Sequence, residues 1–257
     1  MKLRPFLGVL GAAVLSSSSA LAFDIVTIGA GAQFQAGAVG LMKPDDQTAP
    51  SPIGPEDYPG FAGLSLGGGG FVDVRFLHVV GIEFGVLHMT DRGAAEIKIS
   101  DAVGNTISKF DVKLKQNALH MPLYLKGAIP TGVANIVGFV GPEFVVPLAS
   151  CKADAADRFT NPDCAAEIVP DAQFPNATGN YGIRTKSSVL VSGGIGFEFK
   201  LPIPAVDIRI PFSIRVAGDP KPSEKRIERE FHEGGRVEYQ TNWQLQGHAN
   251  LGVGVYF

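Results

Sequence analysis

The sequence is poor in several things, and each shortage removes a class of protein. It has only two cysteines, so neither a disulfide-dense scaffold nor a multi-cysteine metal fold is available. Charged residues make up 18 %, too few for a coiled coil or a disordered chain. The formal net charge of −3 shows no basic excess, which argues against nucleic acid as a partner. After residue 22 no apolar run approaches the ~20 residues that a helical span needs. There is no HExxH pair, no Walker-type loop and no GxSxG elbow. What is plentiful is glycine, 32 of 257 residues, together with 17 phenylalanines.

Residues 1–22 read as a secretory signal peptide. Lys2 and Arg4 give the basic start, Phe6 to Leu15 the apolar stretch, and Ala20-Leu21-Ala22 a small-x-small cleavage site. The apolar part is about half the length of a membrane span. Cleavage takes the net charge from −3 to −5 and leaves one expected domain, 23–257. In an exported chain Cys151 and Cys164 are expected to pair, closing a short loop worth ~3 kcal/mol. No histidine lies near them in sequence, so a metal site lacks ligands, and no cofactor is expected.

The rest of the chain is governed by alternation of period two, which marks strands with two unlike faces. Trp243, Leu245, Leu251, Val253, Val255 and Phe257 share one parity; Gln244, Gln246, His248 and Asn250 share the other. Seven earlier segments behave alike, beginning near Val26, Leu64, Ile82, Leu119, Val133, Val189 and Val206. Short links near 77–79, 130–132 and 201–204 alternate with long ones near 38–61, 91–117, 149–184 and 217–240. Such a meander of eight antiparallel strands predicts a closed up-and-down barrel. Gly104-Asn105 is a hairpin signal inside the second long link, and Gly234-Gly235 precedes Arg236-Val237-Glu238-Tyr239. Strands three and four, and seven and eight, are therefore expected to extend beyond the rim. A short helix competes over 224–233, where Arg226 and Glu230 are spaced to pair.

Alternation does not say which face is inside. The polar face is rich in Gly, Ser, Gln and Asn rather than the dense Lys and Glu of a soluble skin. The apolar rows run about nine to eleven positions without a charge, the length that crosses hydrocarbon at a tilt. The chain also stops on an apolar strand, where a lipocalin-type calyx continues into a helix. The expectation is an all-β, transmembrane barrel with short periplasmic turns and long extracellular loops. Its lumen would hold Asp73, Glu83, Glu143, Glu198 and Asp207 against Arg75, Lys126, Lys200, Arg209 and Arg215. These charges read as a plug that locks the barrel; a gated, narrow ion path is the other reading. His120 and Tyr124 share a face but lie roughly 13 Å apart along a strand, too far for direct contact.

These features resemble the small outer-membrane β-barrels of the OmpA/OmpX type. The stretch Leu119-His120-Met121-Pro122-Leu123-Tyr124-Leu125-Lys126, followed by Gly141-Pro142-Glu143, is similar to the PorT-type outer-membrane barrel group. The resemblance implies a bacterial outer-membrane location, with lipid and the barrel-assembly machinery as partners. It implies that Val253, Val255 and above all Phe257 form an assembly signal; the alternative is a purely interfacial Phe257. Function is expected to be non-enzymatic, serving envelope integrity or surface interaction through a loop-bound extracellular ligand. A small-solute or ion pore is the alternative. A lipid-modifying enzyme is third, since His88-Met89-Thr90 is only faintly similar to the His-x-Ser of lipid A deacylases.

Overall fold

The computed structural model describes residues 25–41, 56–57, 61–100, 103–132, 134–148, 151–152, 164–170, 180–185, 187–203, 206–220, 228–230, 236–241 and 245–257. The signal peptide, Trp243 and the side chains of Cys151 and Cys164 lie outside the described residues. Eight long strands build the wall: β1 Val26–Leu41, β2 Phe61–Phe76, β3 Val80–Ser100, β4 Thr106–Pro130, β5 Ala134–Pro147, β6 Ser188–Leu201, β7 Asp207–Gly218 and β8 Leu245–Tyr256. Each pairs antiparallel with its neighbours in sequence, and β8 returns to β1 from Gly29↔Tyr256 to Gly40↔Leu245. The barrel is closed and up-and-down, so its wall has no free edge. Beyond Tyr256, Phe257 exchanges both backbone hydrogen bonds with Ile28, at 3.0 and 2.9 Å.

Three short connections and the start of β1 gather at one end. The tightest joins β2 to β3, with Leu77 and His78 both in the left-handed region (φ 51° and 58°). That backbone matches the right-handed twist of the strands it joins. Leu77 N–H donates to Ile25 O at 2.8 Å, and Thr27 Oγ1 lies 3.0 Å from His78 Nδ1, which ties the turn to β1.

At the opposite end the strands are longer than alternation over the apolar rows implied. β3 and β4 stay paired as far as Ser100↔Thr106, so most of the expected 91–117 connection is a continuous ladder. Gly104, at φ 92°, lies in the bend between them, as the Gly-Asn signal predicts. Glu56–Asp57 adds to β3, and Cys164–Pro170 adds to β4, on the two flanks of this hairpin. The expected extension of strands seven and eight takes another form. Glu228–Glu230 pairs with Arg236–Thr241, which runs parallel to Asn180–Thr185 in a separate four-stranded sheet. Strand pairing at 228–230 replaces the short helix that Arg226 and Glu230 suggested.

The outer hairpin carries a charge ladder of its own. Lys109 and Lys98 approach Glu96 at 2.8 and 3.0 Å, and these hydrogen bonds hold its carboxyl below the ordinary glutamate value. Because the paired carboxylate is the favoured form, the ladder is supported at neutral pH and weakens as pH falls through the depressed value. An NMR titration of Glu96 should therefore show a midpoint that rises toward the ordinary value in Lys109→Ala.

Candidate functional site: the charged lumen

The two faces separate as the alternation requires, and the apolar one is outside. Phe34, Leu64, Val72, Phe84, Leu125, Val140, Phe144, Ile195, Phe197, Ile214, Leu251 and Val253 are all exposed, while the opposite parity is buried. An uninterrupted aliphatic and aromatic belt of this extent is far larger than a water-soluble monomer exposes. Inside, the wall carries buried arginines, a lysine, carboxylates, histidines and amides.

Near the turn end sits the first charge cluster. β2 aims Asp73 and Arg75 inward two residues apart, and β6 brings Glu198 across the lumen. The Arg75 guanidinium is forked between them: Nε donates to Asp73 Oδ2 at 2.9 Å and Nη1 to Glu198 Oε2 at 2.6 Å, with Nη2 bonded to both carboxylates. Lys126 from β4 donates to Glu83 Oε2 at 2.6 Å, and to Asp73 Oδ2 and Glu198 Oε1 at 3.2 Å. Tyr256 from β8 donates to Asp73 Oδ2 at 3.2 Å, and its ring lies between two guanidiniums, 4.1 Å from Arg209 and 5.3 Å from Arg75. Cation–π attraction of this kind strengthens when water is excluded. The ring fits only because its cross-strand partner is Gly29; a Cβ there would collide with Tyr256.

About midway along the lumen lies the second cluster. Glu143 of β5 bonds to Arg215 Nη1 of β7 and accepts from His120 Nδ1 of β4 at 2.6 Å. Tyr124 O–H reaches Glu143 Oε2 at 3.4 Å and lies 3.0 Å from Ser192 Oγ, while Arg215 Nη1 donates to the Tyr124 oxygen at 3.1 Å. Arg215 Nη2 donates to Gln35 Oε1 at 2.7 Å and to His248 Nδ1 at 3.3 Å. The other nitrogen of His120 stands 3.8 Å from Asp91 Oδ2. His120 and Tyr124 do not touch, as the strand spacing dictates, yet both meet Glu143 on the neighbouring strand.

A cavity of about 30 Å³ lies between the clusters, lined by Gln33, Glu83, Tyr124, Lys126, Ser213 and Asn250 among others. That is room for one or two waters. Toward the loop end, Ala118, Val145, Leu190 and Ala217 turn inward as an apolar cluster. The interior of an eight-stranded barrel is just wide enough for side chains to fill. Charges so deeply buried persist only when paired and hydrogen-bonded, and each of the two clusters joins acids to bases.

The structure places the ten expected lumen charges unequally. Asp73, Arg75, Glu83, Lys126, Glu198 and Arg209 gather in the first cluster, and Glu143 and Arg215 in the second. Lys200 is a correction: it has the inward parity, but β6 ends there, and its side chain is 57 % exposed at the rim, 3.4 Å from Asp207. Asp207 is half-buried and pairs chiefly with Arg209, at 2.7 Å. Sequence reasoning passed over His120, His248, Tyr124, Tyr256, Gln35, Ser192 and Asp91 as network members. Their inward parity was the available signal. His88 and Thr90 face outward with Met89 buried between them, and the Thr90 hydroxyl donates to Asn117 Oδ1 at 2.8 Å. Val253 and Phe257 face outward, Phe257 at 82 % exposure, with Val255 partly covered between them on the same parity.

A closed barrel with a greasy exterior and a salt-bridged core defines a small transmembrane β-barrel. No protein-family model matches the chain, and no curated protein sequence does. Among solved structures, it is similar to the outer membrane protein OprG from Pseudomonas aeruginosa, at 12 % identity and a TM-score of 0.35 over 91 % of this chain and 96 % of that one. It is also similar to Ail, the attachment invasion locus protein of Yersinia pestis, in complex with the heparin analogue sucrose octasulfate. There the identity is 14 % and the TM-score 0.30, over 90 % and 97 % of the two chains. The translocator domain of the autotransporter NalP from Neisseria meningitidis follows at 11 % identity and a TM-score of 0.23, over 91 % and 88 %. The barrel assignment stands on the strand pairing of this chain.

Proposed function

We propose that the protein is a non-enzymatic barrel of the bacterial outer membrane, with a plugged polar lumen, serving envelope integrity or surface interaction through its loop end. The observation that carries this reading is the inverted distribution of side chains: an aliphatic belt facing outward around a core of buried charges that includes Asp73, Arg75, Glu143 and Arg215. Helical spans are the rule in inner membranes, whereas closed barrels with a lipid-facing belt are the outer-membrane solution. The two clusters act as a lock, since each cross-links strands far apart in sequence, Arg215 to Gln35 and Arg75 to Glu198 among them. Two experiments test the proposal together. The folded protein should be recovered from the outer-membrane fraction and migrate differently before and after boiling on a denaturing gel. In planar bilayers it should show no steady, large conductance; such a conductance would replace the plug with the pore reading, for which the cavity between the clusters is the structural basis.

The assembly signal belongs to the same proposal. Phe257 offers an exposed aromatic ring on a strand whose apolar row continues through Val255 and Val253, a form suited to edge addition with side-chain pockets. Deleting Phe257 should lower the amount of folded, heat-modifiable barrel several-fold at equal synthesis. Normal levels would leave Phe257 as an interfacial aromatic only. A Cys151–Cys164 bridge is part of the reading as well, testable by mass mapping of unreduced peptides.

A further inference from the structure

The outward row of β3 and β4 changes character in steps toward the loop end. On β3 it runs Phe84, Val86, His88, Thr90, Arg92; on β4 it runs Leu123, Met121, Leu119, Asn117, Lys115, Lys113. Hydrocarbon-facing side chains give way to a polar level, where Thr90 and Asn117 bond to each other, and then to a basic level. Successive levels on one face are separated by roughly 7 Å of strand. Arg92 and Lys115 are direct cross-strand partners, and Lys113 is the next outward residue beyond Lys115. All three are exposed. Like charges placed opposite one another repel. Among the described residues no carboxylate pairs with Arg92 or Lys115; Lys115 stands opposite Ala165 on its other flank, whereas Lys113 stands opposite Glu167. At the turn end, by contrast, the outward row itself is apolar at Phe76, Val80, Ile82, Leu125, Ile129, Phe199 and Ile203, and the exposed Lys200 at the rim pairs with Asp207.

From this we infer that Arg92 and Lys115 form a binding site on the outside of the wall for the phosphate groups of a phosphorylated lipid in the loop-side leaflet. The inference rests on the transmembrane outer-membrane reading above. The order of levels is what selects a lipid: acyl chains lie against Val86 and Leu119, hydroxyl and amide groups of the headgroup meet Thr90, Asn117 and His88, and phosphate reaches the basic level. A guanidinium beside an ammonium group supplies both the forked donors and the point charge that phosphate oxygens accept from. A bound phosphate between Arg92 and Lys115 also removes their mutual repulsion. The site is specific to one flank of the barrel, so it would hold a lipid against the root of the long hairpin.

The test uses the full chain folded into phosphatidylcholine vesicles doped with diphosphorylated lipid A, and into paired vesicles doped with the same lipid after dephosphorylation. Lipid retained on the extracted protein is counted by native mass spectrometry. The wild type should retain the phosphorylated lipid and not its dephosphorylated form. Arg92→Gln combined with Lys115→Gln should lower retention about thirtyfold, near what two surface basic residues contribute, while heat-modifiable migration stays unchanged. Lys98→Gln, higher on the hairpin, should leave retention as it is. Equal retention by the inserted variant and wild type, or no preference for the phosphorylated form, overturns the site while leaving the membrane reading intact. A chain that does not insert overturns the membrane reading and the site with it.

Discussion

Glu143→Gln should cost about 3–5 kcal/mol of folding stability, the range seen when one partner of a buried ion pair is removed. Glu143 is fully buried, and so are both of its basic contacts, Arg215 and His120. With the carboxylate gone, Arg215 retains only Gln35, Tyr124 and His248 as partners for a buried charge. Equilibrium urea unfolding in lipid vesicles measures the loss. Two companion variants separate isolation of charge from lost packing. Glu143→Leu combined with Arg215→Met removes both charges and should recover much of the loss, because apolar replacements of a buried pair are often neutral. Lys200→Ala, at the exposed rim, should change stability by less than about 1 kcal/mol. A small effect of Glu143→Gln would mean that the second cluster is wet and works as something other than a lock.

The second large effect is on the outside of the wall. Ile195→Arg should destabilise the inserted barrel by about 2–4 kcal/mol, and Ile203→Arg by no more than about 1, since the penalty for a lipid-facing arginine is greatest at the bilayer midplane and fades toward the interfaces. Ile195 lies midway along β6 and is 72 % exposed; Ile203 lies just past its turn-side end. The contrast matters more than either value. On a barrel surrounded by water both substitutions would be harmless, and Ile195→Arg would improve solubility. A depth-dependent cost is the signature of hydrocarbon.

Much of the wall was legible before any coordinates because a strand has only two faces. In the last strand, Gln246, His248 and Asn250 are buried while Leu245, Leu251 and Val253 are exposed, the inversion that the Gly-, Ser- and Gln-rich parity implied. Strand ends were harder to read. Arg92, Glu96 and Lys115 break the apolar row, yet the ladder continues through them because β-pairing in a hairpin is indifferent to what the outward side chains are. Lys200 shows the same limit from the other side: parity names a face, but not whether the wall still surrounds that position.

The lumen network was legible in composition and not in connectivity. Which acid meets which base depends on height along the axis, and height follows from the stagger between strands that lie 72 or 180 residues apart in sequence, as for Arg215 with Glu143 and with Gln35. Leu190 and Val145 show a further reason. They sit inward on the polar parity because the loop end of the lumen is closed by packing rather than by charge.

The hairpin of β3 and β4 has one more consequence. From Thr90 to Ser100 the paired ladder runs about 34 Å along the strand direction, from a root where Thr90 and Asn117 are hydrogen-bonded. A stiff mast of that reach sets a standoff distance: on the proposed outer-membrane reading, bodies approaching from the loop side would meet its tip before coming near the lipid. Shortening it would bring such bodies closer without disturbing the cylinder below.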